Sequence, residues 1–156
     1  MLDEAIDGSV RLLQINACND AISSTFYKDA RSKLDKLQLQ KIVKAKPESS
    51  SGTALAKTLS AFGSGYIYGG RITLYNSFFK DFNIAIGSDA TGDSLGLSMK
   101  QRRVIVLLHE LSHLTRKYID VFQTLGIHYF DEAIYDKCTI NKRIYEACRD
   151  CADFSD

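Results

Sequence analysis

An apolar run near the middle of the chain, residues 104–115, contains the pattern His-Glu-x-x-His. Neither proline nor glycine occurs in 99–122, so the sequence predicts one long helix there. A helix that carries Val, Ile and Leu on every side has to be buried, which makes this run the strongest constraint on the fold. Residues four apart lie on the same face of a helix, so His109 and His113 can direct two imidazoles at one point.

The residue types of this pattern are those of a catalytic zinc site. Two neutral imidazoles bind Zn²⁺ well, and a catalytic zinc needs a third protein ligand and an open position for water. Glu110 directly follows the first histidine, where its carboxylate can take a proton from that water and later give it to a leaving amine. A Glu and two His inside an apolar run would be destabilising without a partner, which favours a metal site. The sequence therefore predicts zinc-dependent hydrolysis of peptide bonds, with Glu110 as general base.

The third ligand has to come from the residues after the helix. Glu132 is favoured, because its spacing from His113 leaves room for a helix end, a loop and the first turn of an antiparallel helix. Asp131 is the alternative, either as the ligand or only as the N-cap of that helix. Asp120 lies two turns beyond His113 and is within reach only if the helix has ended. His128 suits a longer zinc motif that requires a glycine, but this chain has an arginine at that position.

The motif followed by the segment 131–136 resembles the gluzincin metallopeptidases of the thermolysin type. Their third ligand is a Glu in an Asn-Glu-Ala-Ile-Ser-Asp-like segment at nearly this distance, which implies Glu132. The resemblance also implies that Asp136 supports the first histidine. This chain departs from the family with Asp for Asn, Tyr for Ser and a slightly shorter loop.

A second resemblance, to the deuterolysin-type aspzincins, rests on residues 72–79 upstream of the motif and on an Asp and a Tyr downstream of it. The third ligand of those peptidases is an Asp in a Gly-Thr-x-Asp-x-x-Tyr segment, which would make it Asp131. This chain lacks that segment and has one residue too many between Asp131 and Tyr135. Neither resemblance extends to the N-terminal third, so the chain would be a minimal zincin.

Both resemblances imply an α+β, zincin-like fold, with a small mixed sheet, an edge strand over the motif helix, and helices at both ends of the chain. Arg71–Tyr75 is the expected edge strand, to which an extended peptide would add as a further strand. A hydrogen-bond donor is also needed for the oxyanion. Tyr135, Tyr118 and His128 are the candidates, and Tyr135 joins Glu110 in the predicted catalytic set.

Local patterns predict the other elements. Helix is predicted over 2–39 with a break near Asn19 and Asp20, strand over 40–46, a short helix over 53–62 and a strand over 66–68. Ser98 and Gln101 have the spacing of a capping box at the start of the motif helix. Asp131 is the expected cap of a last helix that runs to Cys148.

The composition of the whole chain limits the classes of partner that can be proposed. At 156 residues the chain is expected to be a single domain, 1–156. The net charge of +1 gives no reason to propose nucleic acid or an anionic membrane, and no apolar run approaches the roughly 20 residues of a membrane span. The expected partner is a protein or peptide substrate.

Four cysteines, Cys18, Cys138, Cys148 and Cys151, allow three pairings into two disulfides. They favour a secreted or periplasmic protein whose signal peptide is absent from this sequence.

Two alternatives to an independent peptidase remain. One is an inactive zincin-fold binding protein with a structural zinc closed by four protein ligands, and the other is an enzyme that needs a companion domain for its substrate groove. Glu110 favours catalysis, since a structural site has no need of that carboxylate.

Overall fold

The computed structural model describes residues 1–23, 34–49, 52, 54–59, 70–115, 117–120, 133–151 and 154. These residues form an α+β fold of helices around small sheets, which confirms the predicted class at that level. The helices are α1 (Leu2–Leu13), α2 (Asn16–Ile22), α3 (Lys36–Ile42), α4 (Met99–Leu114) and α5 (Lys137–Cys148), with a 3₁₀ turn at Asn76–Phe79. The strands are β1 (Val43–Lys46), β2 (Ala56–Leu59), β3 (Arg71–Tyr75), β4 (Ala85–Ile86), β5 (Ala90–Thr91), β6 (Tyr118–Asp120) and β7 (Ala133–Tyr135).

The main sheet has the strand order β1-β3-β2. β1 pairs with β3 in parallel, and β2 pairs with β3 antiparallel, with Ala56 opposite Leu74 and Leu59 opposite Arg71. The prediction that Arg71–Tyr75 is the edge strand is therefore wrong, because neighbours on both sides use its backbone hydrogen-bonding groups. Among the described residues β2 pairs only with β3, so β2 is the edge strand beside α4.

The motif helix α4 begins where the sequence predicts. The Ser98 hydroxyl accepts from the Gln101 backbone N–H at 3.2 Å, and the Gln101 side chain accepts from the Ser98 N–H at 2.8 Å. The helix packs against α1, α5 and β2, and most of its side chains are buried. Gly8 allows the close approach of α1, since a Cβ there would lie 2.8 Å from Val104 Cγ2.

The end of α4 at Leu114 comes earlier than the predicted end near Phe122. The Lys117 N–H donates to the Ser112 carbonyl at 2.9 Å, and the Thr115 hydroxyl donates to the Ile22 carbonyl at the end of α2. The chain then enters β6, which pairs in parallel with β7. The helix is ended by a contact with a distant part of the chain, which no local sequence signal marks.

The N-terminal elements also differ from the predictions. The break between the first two helices falls at Gln14 and Ile15, whereas Asn19 and Asp20 lie inside α2. The predicted strand over 40–46 is helical until Ile42 and extended only over Val43–Lys46. Ala56–Leu59 is a strand where a short helix was predicted, because its pairing with β3 overrides the helical pattern. The predicted strand over 66–68 lies outside the described residues.

The last helix begins later than predicted. Its N-cap is Asp136, whose carboxylate accepts from the Thr139 N–H at 2.8 Å, and Ala133–Tyr135 before it is a strand. The prediction that Asp131 caps this helix is therefore wrong. Asp131 and Asp136 both have the side chain of a good cap. Because 133–135 pair with β6 as a strand, the helix can begin only after them, at Asp136.

A disulfide between Cys18 and Cys148 joins α2 to α5 inside the core. Cys151 lies beside it, with its Sγ 3.7 Å from Cys18 Sγ, and Cys138 is outside the disulfide. The buried apolar side chains of all five helices and the main sheet form one cluster. No helix in the described part of the chain has the length and apolarity to cross a membrane.

Candidate metal centre

α4 brings the two motif histidines together on one face. The ring centroids of His109 and His113 are 5.0 Å apart, and the ring planes are inclined at 71°. Both residues are buried, with exposed fractions of 6% and 9%. His109 also lies on the wall of a cleft between α4, α5 and the segment that leads into β2. An imidazole in this position is shielded from bulk water and still accessible from the cleft.

Asn141 of α5 orients His109. Its side-chain oxygen lies 2.8 Å from His109 Nδ1, and its side-chain nitrogen donates to the Ala85 carbonyl at 2.9 Å. The second bond fixes which end of the amide faces the histidine. Since an amide oxygen only accepts, Nδ1 carries the proton and the lone pair of the neutral ring is on Nε2. This tautomer has one nitrogen available for a metal ion.

The environment of His109 favours its neutral form. Burial is the main cause that lowers the pKa of His109 below the ordinary value of 6.5. Glu110 opposes this effect on the pKa, and His113 adds to the lowering. Only the neutral imidazole has a lone pair for a metal, so burial prepares the ring for coordination.

Glu110 is held by the edge strand. The Thr58 hydroxyl of β2 donates to Glu110 Oε2, and its oxygen also lies 3.2 Å from the Glu110 carbonyl. Thr58 is buried, with an exposed fraction of 6%. The contact fixes one carboxylate oxygen and ties β2 to α4. The local pattern around Thr58 predicts a helix, and nothing in that pattern places this residue beside the motif.

The cleft in front of these residues has a volume of about 290 Å³. The segment before and into β2 forms one wall, α4 forms the floor, and α5 supplies two polar side chains. Its lining consists of Ala54, Leu55, Ala56, Ile84, Val106, His109, Glu110, Lys137 and Asn141. Glu110 and the first histidine of the motif thus line one open space of the size of a few side chains.

The gluzincin resemblance implied that Asp136 supports the first histidine, and this prediction is wrong. Asp136 is exposed at the start of α5, and its backbone bond from Thr139 lowers the pKa of its carboxyl. Asn141 occupies the place beside His109 instead. The sequence contains one signal for Asn141, because this residue falls in the predicted last helix, whose first turn is expected beside the motif.

Tyr135 is not among the residues that line the cleft. Its hydroxyl accepts from Arg143 Nη2 at 2.9 Å, and that guanidinium lies 4.1 Å from the centre of its ring. Asp131, Glu132 and His128 lie outside the described residues, as do the side chains of Tyr118 and Asp120. The predicted third ligands therefore stay predictions.

The described residues could supply two ligands of a zinc site. Among them, no group of three or more His, Cys, Asp and Glu is arranged to hold a metal. The two histidines nevertheless suit two of its ligands, because they are buried, one helical turn apart, and the His109 tautomer is fixed by Asn141.

No protein-family model, curated protein or solved structure matches this chain.

Proposed function

We propose that this protein is a zinc-dependent metalloendopeptidase of a minimal, zincin-like type. The observation that carries the proposal is the bond between His109 Nδ1 and Asn141, which leaves the lone pair of the neutral ring on Nε2, while His109 and Glu110 line the same cleft. Buried imidazoles oriented by a neighbouring acceptor are typical of metal ligands. A carboxylate next to them is the group that peptide hydrolysis requires and a structural metal does not.

The edge strand β2 supports a peptide as the substrate. Tyr75 N–H donates to the Leu55 carbonyl at 3.0 Å, so this pair is hydrogen-bonded across the two strands. Bonded and non-bonded pairs alternate in an antiparallel ladder, so the backbone groups of Ala56 and Thr58 point away from β3. An extended peptide can add to this edge. β2 thereby takes the substrate-binding role that the sequence assigned to Arg71–Tyr75.

The side chains of the site have separate tasks in this proposal. His109, His113 and either Glu132 or Asp131 hold the metal, which when bound supplies Lewis acidity and lowers the pKa of water. Glu110 takes the proton of the attacking water and passes it to the leaving amine. Thr58 holds Glu110 Oε2, which leaves Oε1 as the oxygen that takes the proton in this proposal.

Cleavage of a quenched fluorescent peptide library by the zinc-supplemented protein tests the proposal. The wild type should cleave, and Glu110→Gln should lose about a hundredfold or more in kcat because it has no general base. Glu146→Gln on the exposed face of α5 is the matched control and should retain activity. Turnover that is unchanged in Glu110→Gln would refute the assignment. Zinc binding without cleavage in any variant would favour the inactive binding protein.

A further inference from the structure

We infer that Lys137 binds a substrate carboxylate in the cleft, and that the protein therefore prefers peptides with an acidic group beside the scissile bond. This inference rests on the proposed function, because it names the substrate class of the same site. The carboxylate can belong to an Asp or Glu side chain or to a free C-terminus.

The polar residues of the cleft differ in whether they have partners. His109 and Asn141 are bonded to one another, and Glu110 accepts from Thr58. Lys137 lines the same cleft and takes part in no ion pair or hydrogen bond within the described structure. Among the described residues that line the cleft, it is the one lysine or arginine. Glu110 lines the same cleft, but no ion pair between it and Lys137 occurs in the described structure.

The position of Lys137 in α5 is unfavourable for the helix. It is the first residue after the Asp136 cap, at the end of a helix where the dipole favours anions and disfavours cations. A bound carboxylate would offset this unfavourable interaction with the helix dipole, whereas a neutral substrate would leave it.

The rest of the cleft does not compete for that carboxylate. Ala54, Leu55 and Ala56 on the opposite wall have no polar side-chain atoms. Glu110 has the charge that would pair with Lys137, but its carboxylate is bonded to Thr58 of β2. Lys137 lies on α5 instead. A substrate that lies along β2 can therefore direct an acidic group to α5 while its backbone stays beside Glu110.

Peptide binding to the Glu110→Gln variant tests the inference without turnover. The probes are blocked, fluorescent alanine-based peptides in which one position carries Asp or the isosteric Asn, and one further pair that ends in a free acid or an amide. Fluorescence anisotropy is measured with and without Zn²⁺. We expect the acidic member of one pair to bind about three- to tenfold more tightly. Which pair responds distinguishes a side chain from a C-terminus.

Substitutions at Lys137 supply the decisive comparison. Lys137→Met should abolish the preference, Lys137→Glu should reverse it, and Lys142→Glu on the exposed part of the same helix should leave it unchanged. Equal binding of both members of every pair, a preference that survives in Lys137→Met, or no binding at all would overturn the inference. Cleavage without a preference that depends on Lys137 would refute this inference and leave the peptidase proposal intact. A preference that depends on Lys137 without cleavage would refute the peptidase proposal and leave this inference intact.

Discussion

Asn141 and Thr58 give the motif its orientation. The sequence pattern alone places His109 and Glu110 one residue apart on a helix, where each side chain has several rotamers. Asn141 selects one tautomer of His109, and Thr58 holds one oxygen of Glu110. Both partners come from elements distant in the chain, so local patterns could predict the motif residues but not the residues that position them.

We expect Asn141→Leu to weaken zinc binding by about 10- to 100-fold, because His109 loses the acceptor that fixes its tautomer. Asn141→Asp should retain more of the affinity, since a carboxylate still accepts from Nδ1. Zinc affinity is measured by competition with a fluorescent chelator. Asn83→Leu removes two hydrogen bonds from the loop before α4 and none from His109, so it is the matched control. The same loss of affinity in both leucine variants would refute the role of Asn141.

Thr58→Val should lower kcat by about tenfold with little change in zinc content, because Glu110 loses a charge-assisted hydrogen bond that fixes its carboxylate. Steady-state kinetics and metal analysis of the same preparation test this expectation. Thr73→Val in the neighbouring strand makes the same change at a buried position away from Glu110. If the two valine variants have equal kcat, the Thr58 contact has no catalytic importance.

At the scale of elements, the start of α4 and the strand β3 could be predicted, and their neighbours could not. The Ser98 capping box is a contact between residues three apart, so the sequence alone contains it. β2 and β7 are decided by pairing with strands that are distant in sequence, whereas the local pattern predicted helix for both. The same reason explains the error at Arg71–Tyr75, since a strand pattern does not tell a central strand from an edge.

The edge position of β2 makes a prediction about proline. Ala56→Pro removes an N–H that points away from β3, so the fold should tolerate the change. A carbonyl of the bound substrate would lose the hydrogen bond that this N–H donates. We expect kcat/KM to fall by about tenfold with an unchanged denaturation midpoint. Lys57→Pro is the control, because the Lys57 N–H points toward β3 and its loss should destabilise the sheet. Unchanged peptidase kinetics in Ala56→Pro would show that substrate does not pair with β2.

At the scale of the whole molecule, the Cys18–Cys148 disulfide closes nearly the entire chain, with a sequence separation of 130 residues. Cross-links of long loops stabilise by about 2–4 kcal/mol, so Cys18→Ala should lower the Tm by roughly 5–15 °C. Cys18 is the residue to replace, because Cys151 lies beside it as an alternative to Cys148. Thermal unfolding with and without reductant measures the effect, and Cys138→Ser should behave as the wild type. A Tm that does not respond to reductant would contradict a stabilising disulfide.

The zincin resemblances implied the α+β class, and the continuous apolar run predicted the burial of α4. Four cysteines allowed three pairings, and composition contains nothing that selects Cys18 and Cys148. Their pairing depends on how α2 and α5 pack, which is a property of the folded chain. The same holds for the cleft, whose walls come from separate parts of the sequence.

The metal content of the purified protein tests the central claim most directly. After supply of Zn²⁺ and removal of excess, inductively coupled plasma mass spectrometry should find about one zinc per chain in the wild type and in Glu110→Gln. His109→Ala and His113→Ala should each lose it. No zinc in the wild type, or zinc that persists in both histidine variants, would contradict a metal centre at this site.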